Sequence, residues 1–388
     1  MTYKKLLINT FFISTFFNHL HILSFIPMHN RPLLLLLFPF IIIFIHRYNV
    51  KVKFDLILWI ILFFFIVFTS VIANIFFGYY DIYLPELIAR LLSYLVLFYF
   101  FCIGIIFYES RELISEKFYY FLIIIGFLQL YAIFKLPFSN SLIYVFDNHL
   151  ISSFSSISSR VLFFEAEPSY VAFMIIFIMV FYESKNMRIF VFFSLLTLSV
   201  RTTFVSILYY IKKHPIIYSL LIILSFIIIL PTTQLSYNVY YRVKALVTFQ
   251  QLDPSTYIRV VNNKIALNII NDYPILGVGP GQYSSYYTGK YLSNYDTRRI
   301  SELENVLLKK TKSADPYSFI LGLGSELGIF GLTWVIITGA FFLFKTRRRY
   351  LVLLLMLILM WGYPYGKPYI WIILGYIYQE YQLLKLTT

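Results

Sequence analysis

Charged side chains make up only 13% of the 388 residues, against 60% hydrophobic, so an acid or guanidinium that interrupts an apolar stretch marks a place where chemistry could sit. Arg90 lies six residues into the hydrophobic segment that begins at Leu84, about 9 Å along a helix axis at ~1.5 Å per residue. A cation at that depth faces a partner or a cavity, or else snorkels toward the headgroups. Glu326 stands between Gly324 and Gly328, a spacing that lets two helices touch closely. A buried carboxylate there needs a cation, and by depth Arg90 or Arg201 could supply it. Arg160, Glu165 and Glu167 cluster just before Pro168. Proline suits the first turn of a helix, which puts Glu167 at its positive end as an ion-pair partner, with a plain helix cap as the competing reading. Asp315 precedes Pro316 at the mouth of the segment that carries Glu326.

The stretch 232–314 holds ten Lys and Arg against five Asp and Glu. With its run QYSSYYTGKYLSNY it offers a basic, tyrosine-rich surface suited to an anionic, lipid-linked substrate such as a diphosphate, to sugar stacking, or simply to acidic headgroups. Arg259 opens the helical pattern RVVNNKIALNIIND, which puts Arg259 and Asn263 on one face. The segment YPILGVGPGQY carries Gly277, Gly279 and Gly281. It lacks GxxxxGK and any GxGxxG after a strand, so it reads as a sharp turn closing that helix and not as a nucleotide loop. No DxD, no HExxH and a single cysteine, Cys102, are present. No metal, cofactor or nucleic-acid partner is expected.

The elements that must hold these groups are membrane helices. Soluble domains carry about 25% charged residues, and the Ile, Phe and Leu runs here are long enough to cross a hydrocarbon core. Hydrophobic segments fall near 6–26, 32–46, 54–76, 84–108, 118–136, 169–183, 189–200, 202–211, 215–231, 316–344, 351–362 and 369–384. The expectation is an all-α polytopic membrane protein of about 12 helices. It comprises membrane helices over 1–231 with a short outer loop at 137–168, a large outer loop at 232–315, and membrane helices over 316–388. Reading 189–211 as a hairpin, re-entrant or crossing, keeps KTRRR at 345–349 inside, where the positive-inside rule wants it. Both termini are then cytoplasmic.

Four motifs in order carry a resemblance: EPS at 167–169, LTLSVRTT at 196–203, Arg259 followed by YPILGVGPGQY, and ADPYSFILGLGSELGIFG at 314–331. Over residues 160–331 the chain resembles the O-antigen polymerase and ligase family, most closely its Wzy-type polymerase branch. Ligases of that family tend to carry a histidine just before the last motif. Here Ala314 and Asp315 occupy that place, and 232–314 contains no histidine. The family's Ser-Arg pair is loosened to Ser199-Val200-Arg201.

The resemblance implies a fold similar to membrane C-type glycosyltransferases and a location in the bacterial inner membrane. It implies polymerisation of polyprenyl-diphosphate-linked repeat units at the outer face, with a chain-length regulator and a flippase as partners. Asp315, then Glu167, are the implied proton acceptors. Arg160, Arg259, Arg90 and Arg201 are the implied diphosphate clamp, with Glu326, Gly277, Gly279 and Gly281 in structural or orienting roles. O-antigen ligase and lipid-linked-saccharide flippase are the alternatives.

Overall fold

The computed structural model describes residues 3–16, 33–48, 53–78, 80–133, 168–182, 189–190, 254–295, 316, 318–361 and 368–387. Among them every regular element is helical. They are α1 (Tyr3–Ser14), α2 (Phe38–Arg47, entered through a 3-10 turn), α3 (Phe54–Phe77), α4 (Leu84–Glu109), α5 (Lys117–Ile133) and α6 (Pro168–Phe181). There follow α7 (Pro254–Asp272), the short α8 (Tyr283–Tyr286), α9 (Phe319–Lys345), α10 (Arg349–Trp361) and α11 (Pro368–Thr387). The expected segments at 202–211 and 215–231, and almost all of 189–200, lie outside the described residues.

Among the described residues three helices are long and apolar enough to cross a membrane: α3, α4 and α9, of 24, 26 and 27 residues. At ~1.5 Å per residue each exceeds the hydrocarbon core of about 30 Å. The burial pattern of α3 shows which solvent it was built for. Phe54, Phe65, Phe68, Phe76 and Phe77 are exposed, while the buried stripe runs through Phe63, Ile66, Val67, Ser70 and Asn74. An apolar outside and a stripe whose last members are polar is the reverse of a water-soluble helix. The chain is an all-α membrane protein.

The helices fall into two compact units. One comprises 1–50, 99–235 and 366–388, the other 51–98 and 236–365, so α4 contributes its first half to the second unit and its second half to the first. The first unit is an aromatic core. Phe12 meets Phe107, Phe118, Phe177 and Phe181 at centroid separations of 5.3–5.8 Å. Asn9 ties α1 to the chain between α4 and α5, donating to the Leu113 carbonyl (2.9 Å) and accepting from the Ser115 amide (2.7 Å). Helices α4 and α11 cross at Gly104 and Gly375, where a Cβ on either would strike the other helix's backbone. Small residues permit such an approach in a membrane.

In the second unit α3 and α9 meet through tryptophans. Trp59 and Trp334 stack at 4.8 Å, and Trp59 Nε1 donates to Thr338 Oγ1 at 2.9 Å. The Trp59 indole N–H, partly buried, takes this partner because an unmade hydrogen bond is costly in an apolar surround. This unit also carries α7, α8 and α10, and with them most of the candidate residues.

Candidate functional site

Helix α9 is broken. It starts at Phe319, with the Ser318 hydroxyl accepting from the Leu321 amide at 3.3 Å. The helix therefore begins three residues after the expected start at Pro316. Nine residues on, Gly328 takes φ 62° and ψ −150°, a region open essentially to glycine alone. A break inside a span strips carbonyls and amides of their helical partners, and lipid supplies none.

The turn after α7 supplies them instead. Val278 and Gly279 donate their amides to the Ser325 and Glu326 carbonyls at 2.9 and 3.0 Å, and Ile329 donates to the Pro274 carbonyl at 2.8 Å. From α3, the Ser70 hydroxyl lies 2.6 Å from the Leu276 carbonyl and 2.8 Å from the Glu326 carbonyl, bridging the two. The segment YPILGVGPGQY thus acts as a plug for the gap in α9.

Two glycines of the plug are fixed by contact. A Cβ on Gly277 would enter the Glu326 carbonyl, and one on Gly281 would enter the Glu86 carbonyl. Gly277, Gly279 and Gly281 all have positive φ, at 66°, 93° and 73°. The sharp-turn reading of 273–283 describes this backbone. The GxxxG reading holds for Gly324, whose Cβ would meet Ile270 of α7, and not for Gly328. Gly328 faces the Ile275 carbonyl of the turn, so its small size serves backbone insertion and not a helix–helix seam. Gly328→Ala is expected to cost at least about 1–3 kcal/mol in backbone strain alone, read as a lowered unfolding temperature in detergent. Gly339→Ala, whose Cβ would meet only the flexible end of Met356, should shift it little.

Beside the break sits the buried charge pair. Arg90 Nε lies 2.9 Å from Glu326 Oε1, with side-chain exposures of 6% and 0%. Tyr94, one turn beyond Arg90 on α4, donates its hydroxyl to Glu326 Oε2 at 2.5 Å. Both charged residues lie at similar depth. Arg90 is about 9 Å into α4 and Glu326, seven residues past Phe319, about 11 Å into α9 at ~1.5 Å per residue. The carboxylate at the edge of the break is therefore neutralised from α4 and aimed by a phenol.

Arg259 is half-buried on α7, with Asn263 one turn further along. Helix α7 turns Val261, Ile265, Ala266 and Ile269 inward against Val278, Tyr283, Tyr286, Tyr287 and Tyr291. The tyrosines expected to offer a sugar-stacking or headgroup surface are thus mostly core. Tyr283, Tyr286, Tyr287 and Tyr291 are buried, and Tyr283 donates to the Asn262 carbonyl at 2.8 Å. In a segment with little aliphatic content around 283–291, aromatic rings are the only bulk from which a core can be made.

Lys290 is half-exposed and donates to Asp272 Oδ2 at 2.7 Å, while the Tyr291 hydroxyl donates to the same oxygen at 2.5 Å. These bonds hold the Asp272 carboxyl below the usual carboxylate range, Lys290 above its own, and burial pushes Tyr291 up. Both charges persist across neutral pH.

Asp315, Glu167, Arg160 and Arg201 lie outside the described residues. What the structure brings together is Arg90, Glu326, Gly277, Gly279 and Gly281 around one helix break, with Arg259 on the helix that leads into the plug. Ser70, Tyr94 and Asn74 complete the assembly and had no motif to announce them. Their signal was a polar residue inside an apolar span. Among the described residues no three His, Cys, Asp or Glu side chains gather as a metal site. No family model, curated protein or solved structure matches the chain.

Proposed function

We propose that this protein is a membrane glycosyltransferase of the polymerase type, joining polyprenyl-diphosphate-linked oligosaccharide units at the outer face of a bacterial inner membrane. One observation carries the reading. The last two of the four motifs behind the resemblance, YPILGVGPGQY and LGLGSELGIFG, are far apart in the chain yet are two halves of one assembly, the plug and the broken helix.

In this reaction an acceptor hydroxyl oxygen attacks the anomeric carbon of the donor. The bond from that carbon to the diphosphate oxygen breaks, and the lipid diphosphate leaves with the electron pair. A carboxylate, Asp315 before Glu167, takes the hydroxyl proton. Guanidinium groups meet the charge that builds on the leaving diphosphate. Arg160, Arg259, Arg201 and Arg90 are assigned to that clamp, with Arg90 oriented by Glu326.

A second reading, a flippase or transporter of lipid-linked saccharide, draws on a different feature. Carriers commonly use broken helices with charged groups near the middle of the membrane, and α9 with Glu326 has that form. The ligase alternative is disfavoured by the missing histidine before α9.

Arg259→Ala tests the clamp. Losing one charge-assisted contact to phosphate is worth about 1.5–3 kcal/mol, so polymer yield should fall about 10- to 100-fold while the protein still inserts. Arg259→Lys should rescue poorly, because charge remains and the planar fork does not. Full chain length with lysine would make Arg259 a surface charge. Lys309→Ala and Lys310→Ala are the controls and should be silent. Lipid-linked units held on the inner face in the Arg259→Ala strain would favour the carrier reading.

A further inference from the structure

A groove of about 270 Å³ lies in the second unit between the end of α3 and the plug, lined by Ala73, Asn74, Phe77, Tyr273, Ile275 and Tyr286 among others. It falls just under the roughly 300 Å³ at which small-molecule sites begin, and its walls are mostly apolar. A saccharide would leave most of its hydroxyls unpaired there. A hydrocarbon chain would not.

Two features identify the chain's owner. The mouth is bordered by Phe77 and Ile275, 85% and 63% exposed, and Phe77 continues the outward apolar face of α3 that includes Phe65, Phe68 and Phe76. The groove is thus reached along a lipid-facing surface, at the end of a span where headgroups begin. Next to the groove, against its lining residue Tyr273 but not themselves lining it, stand Lys290 and Asp272. The Lys290 ammonium is 5.2 Å from the Tyr273 ring centroid and 2.7 Å from Asp272 Oδ2, each side chain being 37% exposed. An exposed ammonium beside an exposed carboxylate is neutral overall. It repels neither half of a zwitterion and matches both.

We propose that this groove and the adjoining Lys290–Asp272 pair form a site for a resident zwitterionic phospholipid with a primary ammonium, of the phosphatidylethanolamine class. Part of one acyl chain lies in the groove, the phosphate meets Lys290 and the headgroup ammonium meets Asp272. An anionic lipid or a polyprenyl diphosphate would satisfy Lys290 and be repelled by Asp272. Phosphatidylcholine has no N–H to give the carboxylate.

The test uses the purified full chain, native mass spectrometry and thermal unfolding with added phosphatidylethanolamine, phosphatidylglycerol or phosphatidylcholine. One phosphatidylethanolamine should be retained, about fivefold more tightly than phosphatidylglycerol, the effect of one charge near a membrane surface. Asp272→Asn should reverse that preference in favour of phosphatidylglycerol, and Lys290→Gln should weaken retention of both. Ala73→Phe should fill the groove and expel the lipid. If that variant unfolds, the exchange of preference in Asp272→Asn carries the test alone. Equal retention of the two lipids by the unaltered chain, or an unchanged preference in Asp272→Asn, overturns the proposal. So does displacement of phosphatidylethanolamine by an equal concentration of polyprenyl diphosphate, which would assign the groove to a substrate.

Discussion

Glu326→Ala is expected to destabilise the protein by about 3–5 kcal/mol, the usual result of deleting one partner of a buried ion pair. Two losses combine. The Arg90 guanidinium, 6% exposed, is left charged in an apolar interior, and the Tyr94 hydroxyl loses the oxygen it holds at 2.5 Å. The measurement is thermal or denaturant unfolding in detergent, with Glu326→Gln as the intermediate case, since an amide still accepts from Tyr94 but cannot balance Arg90. Replacing both members, Arg90→Met with Glu326→Leu, should recover most of the loss, because a buried pair seldom outperforms well-packed apolar groups. Recovery of stability without recovery of polymer would separate a brace from a participant. A silent Glu326→Ala would mean that the pair holds nothing.

Asp315→Asn should reduce polymerisation by about 10²–10⁴-fold if Asp315 takes the acceptor proton, the span expected for general-base catalysis. Asparagine keeps size and polarity and cannot accept a proton, so donor binding should survive. Single repeat units should then accumulate on lipid at the outer face, with no ladder above them. Glu167→Gln is the matched comparison, and whichever isostere is silent is not the base. Units trapped at the inner face in the Asp315→Asn strain would contradict a transferase and support a carrier. Activity in both isosteres would remove carboxylate-base chemistry and leave the membrane fold untouched.

Where a segment is uniformly apolar its ends are easy to read, because length and hydropathy are the only constraints on a span. Residues 54–76 and 84–108 became Phe54–Phe77 and Leu84–Glu109, within one residue. That Glu326 needs a cation at its own depth was also legible, with Arg90 and Arg201 as the two candidates, and the structure places Arg90 there. What periodicity could not show was the break at Gly328. The sequence on both sides, Ser325 and Glu326 apart, keeps the hydropathy of a span, and the partners that make a positive φ tolerable come from Pro274, Val278 and Gly279, about 50 residues upstream. The tyrosines of 283–291 misled for a related reason. Tyrosine is ambiguous between surface and core, and only the neighbours contributed by α7 decide it. Ser70, beside Thr69, interrupted an apolar run, but nothing in the sequence named the two segments that its hydroxyl bridges.

The plug has a bearing on how the chain is assembled. Ribosomes deliver α3 and residues 273–279 well before α9, so the donors and acceptors that close the gap exist before the gap does. In lipid alone, each bare carbonyl at Gly328 would cost on the order of several kcal/mol, so a newly inserted α9 is most stable as one straight rod of 27 residues. It bends only when it reaches a finished socket. The bend is thus a product of docking in the second stage of membrane folding. A chain with a damaged turn would insert at normal length and stall afterwards, with a straight helix lying against an unfilled socket.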